Sequence, residues 1–171
     1  IFLGGSQGSA AINSLALKLA PVFKQKGVKI IHQCGKNALE SLQEEYKKLG
    51  LSIDELELFD FDSKIELKMS RADLAISRAG AGTLWELTAN ALPSVFVPYP
   101  YAANNHQVFN AKFLVDQNLA KFCFQKGGEI DADEMLNLIN EMDIAQISSK
   151  LSKQIDNGGA RKIVDEILKH I

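Results

Sequence analysis

The segment Ser77-Arg-Ala-Gly-Ala-Gly-Thr-Leu-Trp-Glu86 sets two glycines, a hydroxyl and a carboxylate at the point where a predicted strand gives way to a helix. Gly80 and Gly82 let backbone come close to a ligand. The first amides of the helix, including those of Ala81, Gly82 and Thr83, point unpaired N–H groups and the positive end of the helix dipole outward. An anion belongs there, and the pattern reads as a seat for a nucleotide diphosphate. Thr83-x-x-Glu86 also matches a capping box, so two roles stay open for Glu86: the N3 partner of Thr83, or an acceptor for the vicinal hydroxyls of a ribose. Arg78 is either a cation at a strand end or a partner for phosphate or a neighbouring carboxylate.

A second glycine-rich stretch, Gly4-Gly-Ser-Gln-Gly-Ser9, offers amides and the Ser6 hydroxyl, with Gln7 and Gly8, as a phosphate cradle. It is equally a tight strand-to-helix turn that needs glycine. It lacks the Lys-Ser/Thr ending of a P-loop and is not GxGxxG, and the second predicted strand has no terminal acid for an NAD ribose, which disfavours a dinucleotide oxidoreductase. Farther on, His106, Gln107 and Asn110 open a helix after a proline-flanked loop, with Gln107 and Asn110 three apart on one face. Side-chain amides suit sugar hydroxyls because each both donates and accepts; otherwise these are solvated polar positions. Phe61, at a strand end, either stacks on a base, with the Asp62 backbone reading its edge, or packs in the core. His32, inside an apolar strand, reads as a satisfied core histidine, and Trp85 as packing.

Short apolar runs alternate with amphipathic stretches, the pattern of a parallel sheet with helices on both faces, so the fold class is α/β and Rossmann-like. Strands are predicted at Ile1–Gly4, Val28–Cys34, Leu56–Phe61, Asp73–Ser77, Ser94–Val97 and Lys121–Phe124. The first helix is expected over Ala10–Lys26, burying Ile12, Leu15, Ala16, Leu19 and Phe23 and stopping at Gly27. Further starts are marked by Ser63-x-x-Glu66, Thr83-x-x-Glu86 and Asp131-x-x-Glu134. After Asp131 only helical pattern remains, through Met142 and again from Ala160, separated by the polar Asp156–Gly159 turn; residues 143–171 read as a helical tail. In such sheets the ligand crevice lies beyond the carboxyl ends of the strands, which is where the unusual loops fall.

The 171 residues, 46% hydrophobic, suit a single domain. Opening on a strand end, the chain reads as a piece of a longer polypeptide. A net charge of −2 with interspersed signs gives no wide basic surface, so no nucleic-acid partner is expected. No apolar run approaches the ~18 residues of a membrane span. Cys34 and Cys123 form no CxxC or Cys/His cluster and read as reduced core thiols, which points to a cytoplasmic location.

In order and spacing, the Gly-Gly-Ser-Gln-Gly-Ser loop, Ser-Arg-Ala-Gly-Ala-Gly-Thr-(x)2-Glu-Leu, Leu92-Pro93 before Val97-Pro-Tyr-Pro100, and His106-Gln-(x)2-Asn-Ala111 together resemble the C-terminal, donor-binding domain of the MurG family, bacterial N-acetylglucosaminyltransferases of peptidoglycan synthesis. The resemblance covers nearly the whole chain. It implies the C-terminal half of a GT-B fold, two Rossmann-like domains facing across a cleft. The implied donor is UDP-N-acetylglucosamine, with no cofactor beyond it. The sugar would pass with inversion to a lipid-pyrophosphoryl-muramyl-pentapeptide at the cytoplasmic face of the inner membrane. By the same resemblance Phe61 and the Asp62 backbone hold uracil and Glu86 the ribose. The Ser6 loop with Ala81, Gly82 and Thr83 holds the diphosphate, while His106 and Gln107 reach the sugar. The catalytic base, the acceptor and the membrane contacts would belong to an N-terminal domain outside this chain, so this piece alone is expected to bind donor without turnover. His106 stands where many relatives have a second Gln, and the loop before it is about one residue longer than in some members. With no Asp-x-Asp pair near the diphosphate loops, no metal ion is expected and the helix dipole stands in its place. The rival readings are the donor subunit of a split dolichol-linked transferase, a UDP-glucose or UDP-galactose enzyme acting on lipid, and a non-catalytic nucleotide-binding module.

Overall fold

The computed structural model describes residues 1–5, 7–155 and 158–170. Six parallel strands form one sheet in the order β3-β2-β1-β4-β5-β6: β1 (Phe2–Leu3), β2 (Ile30–Gln33), β3 (Leu56–Phe59), β4 (Ala75–Ser77), β5 (Ser94–Phe96) and β6 (Ala120–Phe122). Five lie within the predicted ranges, each shorter because its end residues enter loops, and β6 begins one residue before the predicted Lys121 and ends two before Phe124. β1 is flanked on both sides, Phe2 standing opposite His32 of β2 and Ile76 of β4. Chain order reverses between β1 and β4, and a doubly wound sheet opens its ligand crevice at such a switch point.

Helices α1 (Ala10–Gln25), α2 (Leu39–Lys48), α3 (Ile65–Met69), α4 (Ala81–Ala89) and α5 (His106–Asp116) are the crossovers. Then α6 (Ala132–Asn140), α7 (Ile144–Leu151) and α8 (Gly159–Leu168) follow the last strand. Helix α1 packs against α2 and α6, and α4 against α5, so helices cover both faces. The predicted stripe of α1 is buried at Ile12, Leu15, Ala16 and Leu19, with Phe23 at its margin, against Phe2, Leu3 and Ile30. Gly27 ends the helix at a φ of +68°, as a C′ glycine does.

The caps correct the sequence in two places. Ser63 does not start α3; Lys64 occupies the cap position without a side-chain bond, and the Asp62 carboxylate accepts from Lys64 N at 2.8 Å instead. The Asp131 cap forms, accepting from Asp133 N and Glu134 N, whereas Glu134 turns to Lys126 rather than back to the cap. Helix α7, which the sequence pattern did not separate from the tail, is capped by Asp143 accepting from Gln146 N. Part of the predicted Asp156–Gly159 turn lies outside the described residues. Both cysteines are buried and free, and no described helix is long and apolar enough to cross a membrane.

His32 is the satisfied core histidine expected of it: Nδ1 lies 2.8 Å from Tyr46 Oη and Nε2 3.0 Å from Asn13 Oδ1. Burial pushes the imidazole down to about 3 from its ordinary 6.5. The unfolded chain therefore takes up the proton first, and the stabilisation is complete above pH 6.5 and lost as pH falls toward 3. Between pH 7.5 and 5.5 the His32 contribution to stability in urea unfolding is expected to fall by roughly 1 kcal/mol, and His32→Gln should remove that part of the slope, leaving the part set by the Ile1 amino group, which burial lowers to about 5. An unchanged slope in a folded variant would assign the pH dependence elsewhere.

Candidate functional site

The loops after β1 and β4 meet at the switch point, and each runs into a helix N-terminus. Helix α4 begins two residues before the predicted box. Gly80 is its N-cap, at φ −66° and ψ 141°, and Leu84 N closes the first helical bond on Gly80 O at 2.9 Å. The Thr83 capping box does not form, because Ala81 and Gly82 take helical backbone ahead of it and Thr83 becomes N3. A glycine cap has no side-chain oxygen, so the amides of Ala81, Gly82 and Thr83 remain unsatisfied by any cap. A Cβ at Gly80 or Gly82 would meet nothing within 4 Å, so both glycines face open space.

The first glycine loop is the tight strand-to-helix turn that the sequence offered as one of its two readings. Gly8 has φ +78°, and a Cβ there would stand 2.3 Å from Cys34 O; one on Gly35 would stand 2.6 Å from Gln7 O. Two backbones thus pack directly on each other, and Gly8 is required by that contact whatever it binds. Gly5 has φ +86° with open space beside it, and Gly8 N closes the turn on Gly5 O at 2.9 Å. Gln7 is exposed, and Ser6, the predicted phosphate ligand, lies outside the described residues. Ser9, which the sequence reading did not single out, caps α1 by accepting from Ile12 N.

Arg78 ties these loops together. Its Nη2 donates to Ser9 Oγ and to Gln125 Oε1, both at 2.9 Å, and its Nη1 to Val97 O at 3.2 Å and Pro98 O at 3.4 Å. The guanidinium also lies 5.5 Å from the centre of the Tyr99 ring. All these partners are neutral, so the half-buried charge has no carboxylate counterpart among the described residues, and burial lowers its pKa. Arg78 therefore orders the loops with its hydrogen bonds and leaves its charge for a ligand. The amides on α5 bracket the turn in the same way. Gln107 Oε1 accepts from Ala79 N at 3.2 Å and Tyr99 N at 2.9 Å, and Asn110 Nδ2 donates to Ala79 O at 3.1 Å. They are not solvated surface positions: they hold the peptide before Gly80, and Gln107 keeps its NH2 group for other partners.

The resulting cleft, of about 500 Å³, is lined by Gly4, Gly5, Gly8, Ser9, Gly80, Thr83, Arg78, Gln107 and Gln125 among others, with no acidic residue. Two helix N-termini and one uncompensated guanidinium give it a positive field. A larger hollow of about 940 Å³ lies at the opposite, amino-terminal ends of the strands, lined by Phe2, Ile30 and Leu74 among others. Its one glycine is Gly27 at the end of α1, and the helix start that reaches it, that of α7, is capped by Asp143, so the smaller cleft is the candidate site.

Glu86 sits in the second turn of α4, exposed, and its carboxylate has no partner among the described residues. Phe61 stands two residues beyond β3 and is 60% exposed, so it is not core. Its turn is braced by Asp62, which bonds Lys64 N and pairs with Lys68 at 3.1 Å; these contacts hold the Asp62 carboxyl below the usual range. His106 follows two left-handed residues, Asn104 and Asn105, and donates from Nδ1 to Ala103 O at 2.9 Å, which leaves Nε2 as an acceptor. Trp85, read as packing, stacks on Phe113 at 5.1 Å and stays half exposed. Gln125 carried no motif, and Ser9 and Tyr99 lie inside loop motifs without having been given a role; only the position of Ser9 as a helix N-cap could have flagged one of them.

A doubly wound sheet with glycine loops and open helix amides at its switch point defines the architecture of a nucleotide-binding α/β domain. Residues 1–164 match the glycosyltransferase family 28 C-terminal domain, and the chain belongs to that family. It is 52% identical, over 99% of its length, to the UDP-N-acetylglucosamine–N-acetylmuramyl-(pentapeptide) pyrophosphoryl-undecaprenol N-acetylglucosamine transferase of Campylobacter fetus, and covers 49% of that protein. It is 47% identical to the protein of the same name from a Sulfurovum species, covering 47% of it. The chain thus spans about half the length of the curated relatives it matches. Among solved structures, the Acinetobacter baumannii MurG crystal structure superposes with a TM-score of 0.77 at 32% identity, over 98% of this chain and 49% of that one.

Proposed function

We propose that this chain is the donor-binding half of an inverting N-acetylglucosaminyltransferase that takes UDP-N-acetylglucosamine and serves a lipid-pyrophosphoryl muramyl-pentapeptide acceptor. The observation that carries the reading is the acid-free cleft, where Gly80 and Thr83, at the start of α4 whose first amides no cap satisfies, line the same space as Gly5 and Arg78. A diphosphate satisfies those donors and the Arg78 charge together. Phe61 offers its exposed ring to the uracil, with the Asp62 backbone at the base edge, and the Glu86 carboxylate accepts from the ribose diol. The Ser6 loop completes the diphosphate seat, and His106 and Gln107 reach the sugar through Nε2 and the remaining amide group.

In the transfer, a base removes the proton from the acceptor hydroxyl and the oxygen attacks the anomeric carbon opposite UDP. The carbon–oxygen bond to UDP breaks, and negative charge gathers on the diphosphate. This chain's contribution is the fixed field that receives that charge without a divalent ion or cofactor. The base and the acceptor surface belong to a preceding domain, and the reaction takes place at the cytoplasmic face of the membrane.

Calorimetric titration of the chain with UDP-N-acetylglucosamine, UDP, UDP-glucose and NAD tests the reading. Saturable binding of the UDP compounds, with the N-acetyl sugar preferred and NAD inert, is expected. A folded chain that binds none of them at millimolar concentration would sink it.

A further inference from the structure

A buried polar chain runs under the first glycine loop. Asn13, on the first turns of α1, donates from Nδ2 to Cys34 O at 3.0 Å, so its Oδ1 is what faces His32 Nε2 at 3.0 Å. That contact requires the proton on Nε2, which leaves Nδ1 to accept from the Tyr46 hydroxyl at 2.8 Å. Every donor and acceptor in the series is therefore assigned, and no described buried side-chain nitrogen or oxygen lacks a partner. With His32 held neutral by burial, the tautomer does not vary over ordinary pH.

A purely structural network would be satisfied anywhere in the core. This one ends on the carbonyl that floors the loop: Cys34 O is both the acceptor for Asn13 and the atom that a Cβ on Gly8 would approach to 2.3 Å. Hydrogen bonding on one side and backbone contact on the other fix the position of that carbonyl, and with it the height of the Gly5–Gly8 turn above the sheet. Asn13 N also bonds Ser9 O at 2.8 Å, so the residue that holds the floor is joined to the end of the same loop.

The geometry points to Asn13, oriented by the His32–Tyr46 pair, as a positioning residue for the diphosphate loop, acting through Cys34 O and Gly8 without touching the ligand. It rests on the proposed donor site. Asn13→Asp tests it, because the carboxylate keeps the volume and still accepts from His32 but no longer donates to Cys34 O. The expected result is UDP affinity weakened by about threefold or more in a variant that still unfolds cooperatively, with faster hydrogen exchange at the Gly8 amide and unchanged exchange in β5. A smaller loss of affinity in the folded variant overturns the proposal. If Asn13→Asp does not fold, the decision passes to Tyr46→Phe, which removes the outer donor to His32: weakening by the same factor supports the relay, and less overturns it. A wild-type chain that binds no UDP would instead defeat the donor-site reading itself.

Discussion

Replacing Glu86 by alanine is expected to weaken UDP binding by about tenfold to a hundredfold while leaving the unfolding midpoint where it is. Two hydrogen bonds from a ribose diol to a carboxylate are charge-assisted, and although their sum at about 1.5 to 3 kcal/mol each would exceed that range, solvent screening at the exposed Glu86 brings it down to about 1.4 to 2.7 kcal/mol. The structural cost is small for a reason the sequence could not supply. Glu86 is not the N3 partner of a cap, since Gly80 caps α4 and Thr83 is itself inside the helix. Its backbone carbonyl accepts from Asn90 N at 3.0 Å and Asn90 Nδ2 at 2.9 Å, and those bonds survive truncation of the side chain. An exposed helical Glu exchanged for Ala changes intrinsic propensity by only about 0.5 kcal/mol or less, in the stabilising direction. Glu86→Gln, which keeps one acceptor and loses the charge, belongs between the two. Unchanged UDP affinity in Glu86→Ala would remove the ribose from this position, whereas a lowered midpoint would show a structural partner that the free carboxylate does not suggest.

The strands and the first helix were legible because they rest on local periodicity: Ile12, Leu15, Ala16 and Leu19 line one face, and Gly27 stops the helix whatever lies around it. What was not legible depends on contacts between distant segments. The Thr83 box looked sound as a local pattern, yet Gly80-Ala-Gly82 could begin the helix earlier once Gln107 and Asn110 held the Ala79 peptide from α5. Those two amides read as ligand groups or solvent-facing positions because their partner lies about thirty residues away, with no trace in spacing. Gly8 read as a phosphate glycine, but its strongest requirement is the Cys34 carbonyl beneath it. Sequence thus pointed to the candidate cleft through the glycines that line it, Gly4, Gly5, Gly8 and Gly80. It missed the side chains that position them, Ser9, Gln125 and the relay through Asn13, since a hydrogen bond formed across loops follows no periodicity.

Arg78→Ala should be the most damaging single change at this site, lowering unfolding stability by about 3 kcal/mol and UDP affinity by about a hundredfold. Four bonds from a charged donor would sum to more than that if they were additive. They are not, because the guanidinium is only half buried and water can reach some of the abandoned acceptors. The Ser9 hydroxyl retains its role toward Ile12 N, while Gln125 Oε1 and the carbonyls of Val97 and Pro98 lose the group that joins the loops after β5 and β6 to the start of α1. Against a total stability of about 5 to 15 kcal/mol, such a loss is easily measured by chemical denaturation. Arg78→Lys separates the two roles. An ammonium restores the positive charge but cannot span Ser9, Gln125 and two carbonyls as the planar fork does, so it should recover part of the UDP affinity and little of the stability. Equal recovery of both would mean that charge alone accounts for Arg78. Stability within about 0.5 kcal/mol of wild type in Arg78→Ala would show that the loops hold their places without it, and the positive field would then rest on the helix termini, with the Arg78 charge a separable addition.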